Sequence, residues 1–173
     1  MKTHGLLSLA CGLYFSFIPA SGLTAELPAP FIVLPQPHSV VLLNGKGLEP
    51  SSLENVVLKG DFRHPVMGKF LTGLTIAKSA GKGALTLVLD TSNTTLPSDE
   101  GYILTVTQDR AEIMATGEAG LFYGCQTLEQ LIEDAVDYHK PVPSCKIIDF
   151  PALAYRAVHF DVKHHLDHMH YYY

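Results

Sequence analysis

Leu121, Cys125, Leu128, Ile132 and Ala135 fall on one face of a helix that opens near Glu118. An acid in that position favours the positive end of the helix dipole. Glu129, Glu133 and Asp134 lie off the apolar stripe. A helix with one apolar face has to bury it against another element. The preceding sequence supplies one: Tyr102-Ile103-Leu104-Thr105-Val106-Thr107 and Ala111-Glu112-Ile113-Met114-Ala115 are β-rich and joined by a short polar turn, which reads as a hairpin.

Further strands flank this unit. Val40-Val41-Leu42-Leu43 reads as a short buried strand stopped by Asn44-Gly45, and Val56-Val57-Leu58 as another, ended by Lys59-Gly60-Asp61. Ala84 to Leu89 is followed by a polar loop from Thr91 to Asp99. Lys146-Ile147-Ile148 makes one more strand after the extended link Pro141-Val142-Pro143, and Asp149-Phe150-Pro151 breaks it. Val66, Phe70, Leu74 and Ala77 have helical spacing after Pro65, although Gly68 and Gly73 weaken a helix there. The expected fold class is α+β, an α/β sandwich: a small β-sheet with helices packed on one face. Pro28, Pro30, Pro35 and Pro37 suit an extended lead-in to it.

A chain of 173 residues allows one ordinary domain with an appendage. Its formal charge of −5 and its scattered Lys and Arg argue against a nucleic-acid partner, because phosphate binding needs clustered cations. Tryptophan is absent, which weakens any reading in which this segment alone grips a sugar by stacking. Residues 1–25 read as an export signal. Lys2 and His4 precede an apolar run from Leu6 to Ile18, and small residues follow at Ala20, Gly22 and Ala25. The run is short of the roughly 20 residues a membrane-spanning helix needs, so a secreted or periplasmic product is expected over a retained anchor. No second apolar segment is long enough to span a membrane. A lipoprotein reading through Cys11 is weaker, because that cysteine comes too early in the run. Beyond the signal only Cys125 and Cys145 remain. They can pair in an oxidising compartment or act as small buried hydrophobes, and they lack metal-ligand spacing.

Four blocks, in order, resemble the N-terminal half of glycoside hydrolase family 20, the β-N-acetylhexosaminidases. Ile32-Val33-Leu34-Pro35-Gln36-Pro37 resembles the family's proline-rich opening, and Asp99-Glu100-Gly101-Tyr102-Ile103-Leu104-Thr105-Val106 its EGY strand. Ala119-Gly120-Leu121-Phe122-Tyr123-Gly124-Cys125-Gln126-Thr127-Leu128-Glu129-Gln130-Leu131 resembles its AGLFYGLQTLxQL helix, the most specific of the four. Ile148-Asp149-Phe150-Pro151, through Tyr155-Arg156 to Asp161, resembles the linker and the first strand of the catalytic barrel.

The resemblance implies an accessory α/β domain over residues 26–150 and, over 151–173, the lone first strand of a truncated (β/α)₈ barrel. It implies removal of terminal N-acetylhexosamine from glycans. A carboxylic acid protonates the leaving oxygen and the substrate's own acetamido group attacks the anomeric carbon, an exception to the two-carboxylate scheme. The family's adjacent Asp-Glu pair belongs deep in the barrel, so this chain is expected to be inactive by itself, with no catalytic residue and no cofactor. Asp99-Glu100 is an adjacent acidic pair too, but it reads as a solvated turn ahead of a strand.

The candidate substrate-binding residues carried over are Arg156, Asp161, His164 and His165. Arg156 matches the arginine that opens the barrel strand and reads mainly as structural. His165 matches the family's histidine. His164 stands where the family has an arginine that clamps sugar hydroxyls, and an imidazole does not replace a bidentate guanidinium. Lys163 cannot substitute, since strand alternation points it the other way. The departure implies altered sugar selectivity or lost activity in the whole protein.

Other readings stay in view. His159, His164, His165, His168 and His170 crowd the tail, and His164 with His168 would share a helix face. No His-Glu-x-x-His pattern is present, so a polar barrel rim is expected there over a metal site. No Gly-x-Ser-x-Gly elbow or phosphate loop occurs. A non-catalytic carbohydrate- or protein-binding module, or a non-functional gene fragment, is the alternative to the hydrolase fragment.

Overall fold

The computed structural model describes residues 24–62 and 73–157. Seven strands and one α-helix make up the regular structure there. In chain order these are β1 (Ser39–Leu42), β2 (Asn55–Lys59), β3 (Thr75–Ile76), β4 (Ala84–Leu89), β5 (Tyr102–Val106), β6 (Arg110–Ala115), α1 (Glu118–Asp137) and β7 (Cys145–Asp149), with a 3₁₀ turn at Pro50–Ser52. The strands form one mixed sheet in the order β1-β7-β5-β6-β4-β2-β3. Pairing is antiparallel from β1 to β6 and parallel from β6 to β3.

The two halves bury their residues differently, for a physical reason. In the antiparallel half β5 alternates: Tyr102, Leu104 and Val106 are buried, while Ile103 and Thr105 between them are half-buried. In the parallel half β4 is buried on both faces over Ala84-Leu85-Thr86-Leu87, as parallel strands generally are. The register carries one apolar row across the sheet: Val40, Ile147, Leu104, Ile113, Leu87 and Leu58 stand side by side. Helix α1 lies over the middle of this row, on β5, β6 and β4, and leaves Leu58 at its end exposed. It buries Leu121, Cys125, Leu128, Leu131 and Ala135 against the sheet, leaving Ile132 at the margin of the core.

Backbone contact between α1 and the sheet is close. A methyl group added at Gly124 would stand 2.5 Å from Ile113 Cγ2 and 3.2 Å from the Tyr102 ring. At Gly120 it would stand 2.9 Å from the Ala115 Cβ, with the Gly101 carbonyl oxygen closer still. Gly120 and Gly124, one turn apart, therefore let the helix settle onto β5 and β6. The helix ends with His139 in the left-handed region at φ 53°. The Lys140 N–H donates to the Ala135 carbonyl at 3.0 Å and the His139 N–H to that of Val136 at 3.4 Å. This is the hydrogen-bond pattern of a Schellman stop, with Pro141 just beyond it, and with histidine where glycine is usual.

Several expectations are corrected. One α-helix, not several, covers the sheet among the described residues. The helical spacing after Pro65 falls largely on residues 63–72, outside the described residues, and its far end is strand β3. The Thr75 N–H reaches the Glu54 carbonyl at 2.9 Å and the Ala77 N–H that of Val56 at 2.8 Å, so sheet pairing overrides the periodicity. The segment Val40–Leu43 is an edge strand with only Val40 buried, because no further strand covers its outer side. Of the two readings of Cys125 and Cys145, the structure has the small buried hydrophobes: both are free and buried, one on α1 and one on β7. Residues 151–157 run without strand pairing, and the rest of the expected barrel strand lies outside the described residues.

Candidate functional site

Three segments converge along one edge of α1. The lead-in places Phe31 and Val33 in the core, while the Ile32 and Leu34 side chains stay exposed. Two α1 side chains hold its backbone. Asp134 Oδ2 accepts the Ile32 N–H at 2.8 Å. Gln130 pairs with Leu34 in both directions, Oε1 accepting its N–H at 2.8 Å and Nε2 donating to its carbonyl at 3.1 Å. Gln130 and Asp134 are four residues apart and so share one helix edge, acting as a strand partner for the lead-in. At the start of the exit segment, Asp149 Oδ1 accepts the His38 N–H at 3.0 Å, and the His38 and Phe150 rings stand 4.3 Å apart.

Between lead-in, helix and exit segment lies a cavity of about 450 Å³. Leu34, Pro35, Phe150, Pro151 and Leu153 give it apolar walls; Gln126, Glu100, Asp149 and Arg156 give it polar ones. Also in its lining are Tyr102 and Thr127, whose hydroxyls are 2.5 Å apart. Burial holds the Tyr102 phenol well above the ordinary tyrosine range. The Thr127 hydrogen bond works against that shift, and the Asp149 carboxylate adds to it.

Arg156 stands at the rim. Its Nη2 pairs with Glu100 Oε2 and donates to the Tyr123 hydroxyl at 3.4 Å, and its Nη1 donates to the Leu153 carbonyl at 2.6 Å. The guanidinium carbon is 6.0 Å from the Tyr123 ring centroid, within cation–π range. The Glu100 hydrogen bond, followed by that of Tyr123, raises the guanidinium pKa further, so this group is a fixed cation. Both carboxylates of the cavity have partners, Glu100 in Arg156 and Asp149 in the His38 amide. The arrangement orders chain segments and offers a walled cleft; it does not pair a nucleophile with a base.

Of the residues singled out in the sequence, Arg156 is thus held against Glu100 and Tyr123. Asp161, His164 and His165 lie outside the described residues, as does the histidine-rich tail from His159 to His170. The solvated-turn reading of Asp99-Glu100 holds for Asp99, which is exposed, and fails for Glu100, which is half-buried and ion-paired. Sequence reasoning missed Gln130, Asp134 and Tyr123. The available signal was a polar pair at i, i+4 on a helix beside a proline-rich lead-in whose backbone needs partners.

The fold and this edge of it define a sheet-and-helix module with a pinned exit. The chain belongs to glycosyl hydrolase family 20, whose domain 2 model matches residues 31–150. A beta-N-acetylhexosaminidase of Cellulomonas fimi is 36% identical over 67 residues, covering 39% of this chain and 14% of that protein. The Streptomyces plicatus N-acetyl-beta-hexosaminidase shares 26% identity at a TM-score of 0.54, over 72% of this chain and 27% of that one. The Flavobacterium johnsoniae chitobiase has the same fold, with 23% identity and a TM-score of 0.55, over 77% of this chain and 23% of that one. The chain therefore spans about a quarter or less of the length of these relatives.

Proposed function

We propose that this chain is the accessory portion of an exported β-N-acetylhexosaminidase-like glycoside hydrolase acting on terminal N-acetylhexosamine, and that the 173-residue chain does not itself hydrolyse glycosides. The observation that carries the reading is the family 20 domain 2 match over residues 31–150, supported by the hexosaminidase identity of the Cellulomonas fimi relative. The described site fits a non-catalytic role, since its two carboxylates serve to fix the lead-in and the exit segment.

In this reading the chemistry belongs to a barrel joined to the exit segment. Asp161, His164 and His165 would contribute to sugar binding at its first strand, and Arg156 to that strand's approach. Residues 1–25 direct export. Among the described residues no helix is long and apolar enough to cross a membrane.

The test reads the coding frame through and past codon 173, expresses its product, and assays a chromogenic N-acetyl-β-glucosaminide. Hydrolysis by a longer product carrying an Asp-Glu pair after a barrel strand is the expected result. A longer product with no hydrolysis, or a frame that stops after Tyr173, overturns the hydrolase assignment. N-terminal sequencing of exported protein tests the signal: a mature start after Ala20 or Ala25 is expected, and an intact Met1 in the cell pellet contradicts it. The second reading, a carbohydrate- or protein-binding module, is favoured by the walled cavity of about 450 Å³ with its mixed aromatic and polar lining. Saturable binding on a glycan array by the isolated chain would support it.

A further inference from the structure

We propose that Arg156, Glu100 and Tyr123 form a latch that fixes the direction in which the chain leaves the sheet-and-helix domain. Past Phe150 and Pro151 the exit segment has little to hold it. Leu153 is 67% exposed and Tyr155 84% exposed, so burial does not order these residues. What reaches back to the domain is the Arg156 side chain. It bonds Glu100 just before β5 and the Tyr123 hydroxyl on α1, two elements far apart in sequence but adjacent in the fold. It also bonds the Leu153 carbonyl, which curls the segment into a short loop closed on itself. Three anchors of different chemistry fix the orientation of one planar guanidinium, as a lysine ammonium with its rotatable donors would not. Arg156 is accordingly a positioning residue. The latch is a property of this domain and its exit, independent of the hydrolase reading.

The experiment measures backbone amide ¹⁵N order parameters over residues 152–157 in the full chain and in Glu100→Gln, Arg156→Gln and Arg156→Lys. The native chain is expected to give values near about 0.85, typical of rigid backbone, and both Gln variants values below about 0.6, with the β5 and α1 amides unchanged. Arg156→Lys should fall between, because it keeps the charge and loses the shared bonds. A Glu100→Gln/Arg156→Gln double variant should be no looser than Arg156→Gln alone, since loss of the guanidinium already removes the bond to Glu100. Order parameters unchanged by the single variants, or equally low in the native chain, would overturn the latch. So would loosening in the double variant equal to the sum of the singles.

Discussion

The Tyr102 hydroxyl on β5 and the Thr127 hydroxyl on α1 stand 2.5 Å apart, with the two residues only 2% and 5% exposed. Each is the other's answer to being taken out of water. Tyr102→Phe removes one partner and strands the Thr127 hydroxyl, at an expected cost of about 1–3 kcal/mol in urea unfolding. Replacing both, Tyr102→Phe with Thr127→Val, removes the stranded group and should cost clearly less than the sum of the single changes. Strict additivity would mean that the hydroxyls are not coupled.

Alkaline pH should unfold this domain through its thiols. Burial pushes both Cys125 and Cys145 from 9.0 up to about 12, and the nearby Glu129 charge adds to the shift at Cys125. Their native pKa values are raised, so their contribution is complete below pH 9 and is lost as pH rises toward 12. Each thiol should remove about 1.4 kcal/mol of stability per pH unit in that window. Tyr102 adds a further loss from about pH 10 upward. Urea midpoints measured from pH 8 to 11 check the slope. Cys125→Ala and Cys145→Ala should each flatten it, and an unchanged slope in both would assign the transition to other groups.

Gly120→Ala and Gly124→Ala oppose two effects. Alanine favours a helix over glycine by about 1 kcal/mol, whereas crowding a packed seam costs about 1–3 kcal/mol. At Gly120 the neighbour is a backbone carbonyl, which cannot swing aside, so the loss should dominate there and exceed that at Gly124, where the Ile113 methyl can shift. Thermal unfolding of the two variants gives the order directly.

His139→Gly should stabilise the chain. A non-glycine residue in the left-handed region costs roughly 1–2 kcal/mol, part of which glycine returns as greater freedom when unfolded. A gain of about 0.5–1 kcal/mol is expected, read as a higher melting temperature. A loss would show that the His139 side chain, rather than the turn geometry, holds the helix end.

The helix and the central strands were legible because pattern and packing agree. Ala84–Leu89 was read at its observed limits, and the hairpin and the apolar face from Leu121 to Ala135 follow from periodicity alone. The helix stop at His139 was not legible, since the usual glycine is missing. Strand β3 is not legible, because a two-residue edge strand has no periodicity of its own and exists only through pairing with β2. At the site, Arg156 stands out in the sequence, but its partner Glu100 is 56 residues away and reads from the sequence as a solvated turn. Only the fold brings the end of the Thr91–Asp99 loop under the exit segment. Likewise Gln130 resembles any surface helix residue until the lead-in is laid against it.

The most direct measurement is hydrolysis of a chromogenic N-acetyl-β-glucosaminide by the purified 173-residue chain, with an active family 20 enzyme run alongside. The expected result is no turnover above the buffer blank, at any pH at which the chain stays folded. Turnover that scales with chain concentration, and that disappears in a variant of the chain's own acidic residues, would contradict the assignment of this chain as a non-catalytic accessory domain.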